Sequence, residues 1–115
     1  MRFTVIGWNF RKTPVEIRDS LALTPKEQVE LGLKLRTRFN LGGVVILSTC
    51  NRTELYLVNA EQQLDQIIEM LESYWNLYEL RDRVYTIQNL DGIRHLFRVA
   101  SSLDSMVMGE PQILG

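Results

Sequence analysis

Two strand-length runs, residues 43–48 and 53–59, stand side by side between two amphipathic helical stretches, with Cys50-Asn51 in their connection. A connection this short suits an antiparallel pair whose turn carries the thiol. The first run holds Val44-Val45-Ile46-Leu47 and reads as a buried strand; the second alternates Leu55 and Leu57 against Tyr56 and Val58. Upstream, residues 2–8 alternate Phe3, Val5 and Gly7 inward as a further strand. Thr24-Pro25-Lys26-Glu27 opens a helix: Thr24 caps, Pro25 takes the first helical position and Glu27 bonds back. Val29 and Leu33, and Leu31, Leu35 and Phe39, then recur at steps of four until Asn40 to Gly43 ends the helix. Residues 61–79 make the best amphipathic helix, with Leu64, Ile67, Ile68, Leu71, Trp75 and Tyr78 on one stripe. Arg83 to Gln88 reads as a short strand. Asp91 is a capping candidate for a helix to Ala100 that buries Ile93, Leu96, Phe97 and Ala100. The order β-α-β-β-α-β followed by helices predicts an α+β fold. Specifically, it predicts a ferredoxin-like (split βαβ) antiparallel sheet with helices packed on one face and an extra C-terminal helical segment.

A chain of 115 residues is most simply one domain and buries roughly two thirds of its unfolded surface, enough for a core without metal or disulfide. A net charge of −1 argues against a dedicated nucleic-acid coat, although 13 Lys and Arg leave room for a small basic patch. One cysteine makes no internal disulfide and favours a reducing compartment; one Cys and one His make no structural zinc site of the usual kind. No apolar run reaches the length of a membrane span, and the Phe3-Val5 alternation begins too early for a signal peptide. The expected address is the cytoplasm, or an organelle stroma after removal of a transit sequence. Gly7 and Gly42-Gly43 form no G-x-G-x-x-G after a strand, so no dinucleotide site is expected. Pro111 followed by Gln112-Ile113-Leu114 reads as the opening of another helix, so the chain reads as a fragment of something longer.

The run Ser48-Thr49-Cys50-Asn51-Arg52-Thr53-Glu54-Leu55-Tyr56 holds the sole cysteine, where an apolar strand gives way to hydroxyl, amide and guanidinium groups. A free cysteine is ordinarily a small buried hydrophobe. A strand end, however, is where a rigid scaffold presents reactive groups to ligands. Arg52 reads either as a solvated surface charge or as a planar, permanently charged partner for a carboxylate, and its charge can lower the thiol pKa. Thr49 and Asn51 read as turn stabilisers or as substrate contacts. His95 reads as a core-edge histidine unless something places it at a reacting centre.

Three stretches resemble glutamyl-tRNA reductase. The first is the Ser48–Tyr56 run; the second runs from His95 through Ser105 and Glu110-Pro111-Gln112 to Gly115. The third, weaker, is Gly7-Trp8-Asn9-Phe10-Arg11-Lys12-Thr13-Pro14-Val15 with Arg18 beyond. The family usually carries His at position 10, Thr at 12 and Gly at 102, where this chain has Phe10, Lys12 and Ser102. The resemblance implies that residues 1–115 are the N-terminal catalytic, substrate-binding domain of a longer enzyme. It implies Cys50 as the nucleophile that takes glutamate from its tRNA as a thioester, and His95 as a catalytic residue near the reacting carbonyl. It implies Thr49, Asn51 and Arg52 as substrate-binding residues, Arg52 selecting glutamate, with Ser105, Glu110, Pro111 and Gln112 lining the pocket. NADPH would reduce the thioester to glutamate-1-semialdehyde for tetrapyrrole synthesis, from a domain absent from this chain, as are the dimerising helices. Implied partners are glutamyl-tRNA, a second subunit in the full-length homodimer, and glutamate-1-semialdehyde aminomutase.

Two non-enzymatic readings compete. Ferredoxin-like sheets bind single-stranded RNA through aromatic platforms, but these strands lack the interleaved aromatic and basic residues. A regulatory docking module for haem or a partner protein has only His95 or Cys50 as single iron ligands.

Overall fold

The computed structural model describes the backbone of every residue but Phe10, Lys12 and Gly115, and the side chains of the remainder up to Ser102. Strands β1 (Phe3–Asn9), β2 (Gly43–Ser48), β3 (Arg52–Val58) and β4 (Tyr85–Gln88) form one sheet in the order β2-β3-β1-β4. Every neighbouring pair is antiparallel. The fold is therefore α+β, as expected. Helices α1 (Val15–Leu21) and α2 (Pro25–Phe39) precede β2. A 3₁₀ turn (Glu61–Gln63), α3 (Leu64–Trp75) and α4 (Leu80–Arg83) lie between β3 and β4, and α5 (Asn89–Leu114) follows.

Strand alternation divides the sheet residues between two faces. Ile6, Trp8, Ile46, Leu55 and Leu57 join Leu31, Leu35 and Phe39 of α2 and Ile67, Ile68 and Leu71 of α3 in one buried core. Each fully buried Leu or Ile there contributes about 1.5–3 kcal/mol relative to exposure. Trp8 Nε1 donates to the Leu80 carbonyl at 3.2 Å, and the ring meets Trp75 edge-on at 5.5 Å.

The opposite face also carries a helix, which corrects the expectation of helices on one face only, although Val45 of β2 on that face stays exposed. Helix α5 lies across β1 and β4 there: a Cβ at Gly92 would stand 3.1 Å from the Phe3 ring and 3.4 Å from Val5. That close approach explains why the helix carries glycine at its first crossing. Val5, Glu54 and Tyr56 are buried beneath it.

Local signals set most boundaries. Thr24 and Glu27 form the predicted reciprocal cap, with Glu27 N–H to Thr24 Oγ1 at 3.2 Å and Thr24 N–H to Glu27 Oε1 at 3.0 Å. Asn40 (φ 52°) and Asn76 (φ 54°) close α2 and α3 in the left-handed conformation that asparagine tolerates.

Side-chain facing departs from expectation at several points. Of the two stripes of α2, Val29 and Leu33 are exposed, because the helix can turn only one of them to the sheet. Asn76 ends α3 early, which leaves Tyr78 72% exposed outside the stripe. In α5, Val99 rather than Phe97 is buried. The helix begins at Asn89 instead of being capped by Asp91 and continues past Pro111 instead of restarting there. Ser102 is helical, and no positive φ falls on it: among the described residues that conformation is taken by Asn40, Asn59, Asn76 and Asn89. Phe10 and Lys12 lie outside the described residues. Among the described residues, no helix is long and apolar enough to cross a membrane.

Candidate active site

The sequence Ser48-Thr49-Cys50-Asn51-Arg52 makes the tight connection between β2 and β3. Thr49 N–H donates to the Arg52 carbonyl at 2.8 Å, so the ladder closes immediately below the tip. The Thr49 hydroxyl accepts the N–H groups of Asn51 (3.2 Å) and Arg52 (3.3 Å), replacing a backbone carbonyl as turn acceptor. Cys50 and Asn51 are thereby left at the tip, and the thiol is exposed. The base of the hairpin is tied down by a chain of hydroxyls. Leu23 N–H donates to Ser48 Oγ (3.0 Å), Ser48 pairs with Thr53 Oγ1 (3.0 Å), and Thr53 donates to the Leu21 carbonyl (3.0 Å). With Thr53 as donor to Leu21, the Ser48 proton goes to Thr53, and every donor is used. The two residues that flank the turn, Ser48 and Thr53, are thereby tied to Leu23 and Leu21.

Below the tip, on the α5 side of the sheet, lies a charged cluster. Glu54 is fully buried, opposite Leu47 on β2 and Gly7 on β1. Tyr56 Oη donates to its Oε1 at 2.5 Å; Tyr85 Oη donates to Oε2; His95 Nε2 lies 2.5 Å from Oε2. Arg52 Nη1 stands 3.8 Å from the same oxygen. Two phenol donors, an imidazole and a guanidinium thus converge on one buried carboxyl group, and these partners offset the cost of burying it. Burial first, and next the bond to Glu54, push the Tyr56 and Tyr85 hydroxyls far above the usual phenol range, so both stay protonated donors.

Of the residues singled out from sequence, Thr49, Cys50, Asn51 and Arg52 share this one turn. His95 reaches the same cluster from α5, joined to Arg52 through Glu54. Ser105, Glu110, Pro111 and Gln112 fall on the last turns of α5, and their side chains lie outside the described residues. Glu54, Tyr56 and Tyr85 were not recognised as site residues. Glu54 shares strand parity with Tyr56, on the face expected to be open, and nothing local marks that face as covered. Gly7 is the legible trace: it lies opposite both Glu54 and Tyr85, and a Cβ there would meet the Tyr85 ring at 2.6 Å. Among the described residues, no three His, Cys, Asp or Glu side chains gather around a common metal position.

The fold and the site define a class: a small α+β domain that presents one thiol on a hairpin tip, with a buried carboxyl group paired to a half-buried imidazole on the strand and helix below. The glutamyl-tRNAGlu reductase N-terminal domain family matches residues 6–115, and the chain belongs to that family. It is 42% identical over its full length to the glutamyl-tRNA reductase of Marinobacter nauticus, of which it covers 27%. It is likewise 42% identical over its full length to that of Thermodesulfovibrio yellowstonii, of which it covers 29%. The solved glutamyl-tRNA reductase from Methanopyrus kandleri superposes with a TM-score of 0.67 at 28% identity, over 97% of this chain and 25% of that one. The chain therefore spans a little over a quarter of the curated relatives it matches.

Proposed function

We propose that this chain is the catalytic domain of an NADPH-dependent glutamyl-tRNA reductase, taking the glutamyl group of glutamyl-tRNA onto the Cys50 sulfur. The observation that carries this reading is the exposed Cys50 thiol on an anchored hairpin tip, two residues from a guanidinium. Thiols are strongly nucleophilic and partly ionised near neutral pH, and an aminoacyl ester is already activated, so little further assistance is required. The sulfur attacks the ester carbonyl, the C–S bond forms, the C–O bond to the tRNA ribose breaks, and the thiol proton passes to the departing oxygen. Arg52 selects the substrate: a guanidinium has five donors, more than the contact with Glu54 requires, and suits a second carboxylate in bidentate fashion. Thr49 and Asn51 frame the acyl group, His95 is the catalytic group that relays the proton, and Ser105, Glu110, Pro111 and Gln112 close the pocket.

Reduction of the thioester to glutamate-1-semialdehyde needs a hydride, which we assign to NADPH held elsewhere in the longer enzyme. The described residues do not fit that cofactor: Gly7 is mid-strand against the Tyr85 ring, and Gly42-Gly43 lead into β2 rather than a helix. The same reading takes the sheet as ferredoxin-like, supported by the order β2-β3-β1-β4 and the two helical crossovers. It places the protein in the cytoplasm as part of a homodimer, handing its product to the aminomutase.

The test is incubation with tRNA carrying radiolabelled glutamate. Label bound to the chain through a hydroxylamine-labile bond, and abolished by Cys50→Ser, is the expected result. Label that survives the substitution removes the nucleophile assignment.

A further inference from the structure

We propose that Glu54 is a positioning residue that fixes His95 in the Nε2–H tautomer, leaving Nδ1 as the imidazole nitrogen that serves the reacting ester. The inference rests on the thioester reading and adds a residue to it. Glu54 is fully buried and carries no exposed oxygen for substrate, so its effect runs through what it holds. Its Oε2 lies 2.5 Å from His95 Nε2. Tyr56 and Tyr85 donate to the two oxygens of Glu54, so the carboxyl group acts as the acceptor toward the ring as well; Nε2 then supplies the proton in that bond, and Nδ1 is left as the acceptor. Nδ1 then takes the thiol proton as the C–S bond forms and returns it to the ribose oxygen as the C–O bond breaks. Protons and charges balance with no further reactant.

The surroundings are arranged around that carboxylate from every packed element. Tyr56 and Arg52 approach from β3, Tyr85 from β4 and His95 from α5; β1 contributes only the space left by Gly7. The Tyr85 ring crosses β1 over that glycine to reach Glu54, a route that any side chain at position 7 would block. Two tyrosines that stay protonated hold both carboxylate oxygens, so Glu54 cannot turn away from the imidazole. A purely structural role, pinning α5 to the sheet, would use the same bonds and fix the same tautomer, but its loss would slow acylation equally with and without the imidazole.

His95 is the only histidine, so the ¹⁵N spectrum of the chain grown with labelled histidine reports one imidazole. The neutral imidazole of the wild-type chain is expected to show a protonated Nε2 and a bare Nδ1. Glu54→Gln, whose amide donates as well as accepts, is expected to shift the population toward Nδ1–H. It is also expected to slow single-turnover Cys50 acylation by about 100-fold. In a His95→Ala background the same substitution should cost less than about 2-fold, because its effect runs through the ring. An unchanged tautomer in Glu54→Gln, or the full loss recurring without His95, overturns the proposal. Should Glu54→Gln fail to fold, Tyr85→Phe takes its place: a tautomer and a rate both equal to wild type would then overturn it. Absence of any Cys50 acylation in the wild-type chain sinks the thioester reading instead, and the tautomer measurement is decided separately.

Discussion

Cys50 and Glu54 sit on one hairpin in opposite environments, one exposed and one sealed, and the split follows from their neighbours. Thr49 satisfies the turn from within and pushes Cys50 outward, while Gly7 on the adjacent strand opens the space through which Tyr85 reaches Glu54. Gly7→Ala should therefore displace the ring, break the Tyr85–Glu54 bond and cost about 1–3 kcal/mol of stability, measured by urea unfolding. Arg52→Lys keeps the charge but loses the planar fork. Acylation by glutamyl-tRNA should fall by about 10- to 100-fold, the scale of a charge-assisted bond, with less discrimination against glutaminyl-tRNA in competition. Unchanged preference would remove Arg52 as selector. Tyr56, which is buried, and Tyr85, which is half-buried, give a pH signature. Their folded-state values lie above the ordinary phenol value, so the folded form binds the extra protons. Their contribution is complete below about pH 10 and is lost as pH rises beyond it. Unfolding free energy measured between neutral and strongly alkaline pH should drop in that window, and less steeply in Tyr85→Phe.

Both ends of α2 were legible in the sequence because each is a local contest among a few residues. Thr24-Pro25-Lys26-Glu27 forms the cap its chemistry predicts, and Asn40 ends α2. Thr24→Ala should cost about 1 kcal/mol in thermal or urea unfolding, with Thr24→Ser restoring most of it. Facing was less legible. The two stripes of α2 are nearly equivalent as sequence, and only the sheet beneath decides that Leu31, Leu35 and Phe39 go in while Val29 and Leu33 stay out. The hairpin and its thiol could be read because strand and turn are adjacent in the chain. The Glu54 cluster could not, since it joins β3, β4 and α5 across separations of 31 and 41 residues. Nothing near Glu54 in sequence says that a later helix will cover that side of the sheet.

At the scale of the molecule, helices on both faces of the sheet make one support. The core beneath fixes the sheet, and α5 above it brings His95 to the strand that carries Arg52 and Glu54. The hairpin turn reaches beyond this support, anchored below by the Ser48–Thr53–Leu21 chain of bonds. Such a platform is suited to accept an acyl group, and the described residues offer nothing to cradle a dinucleotide. Mixed with glutamyl-tRNA and NADPH, the 115-residue chain should thus release free tRNA and acylated protein but no glutamate-1-semialdehyde. The most direct test is intact-mass spectrometry of the chain after brief exposure to glutamyl-tRNA, followed by peptide mapping. Addition of one glutamyl group, mapped to the Cys50 peptide, is the predicted result; an unmodified mass, or an adduct on any other residue, would contradict the account.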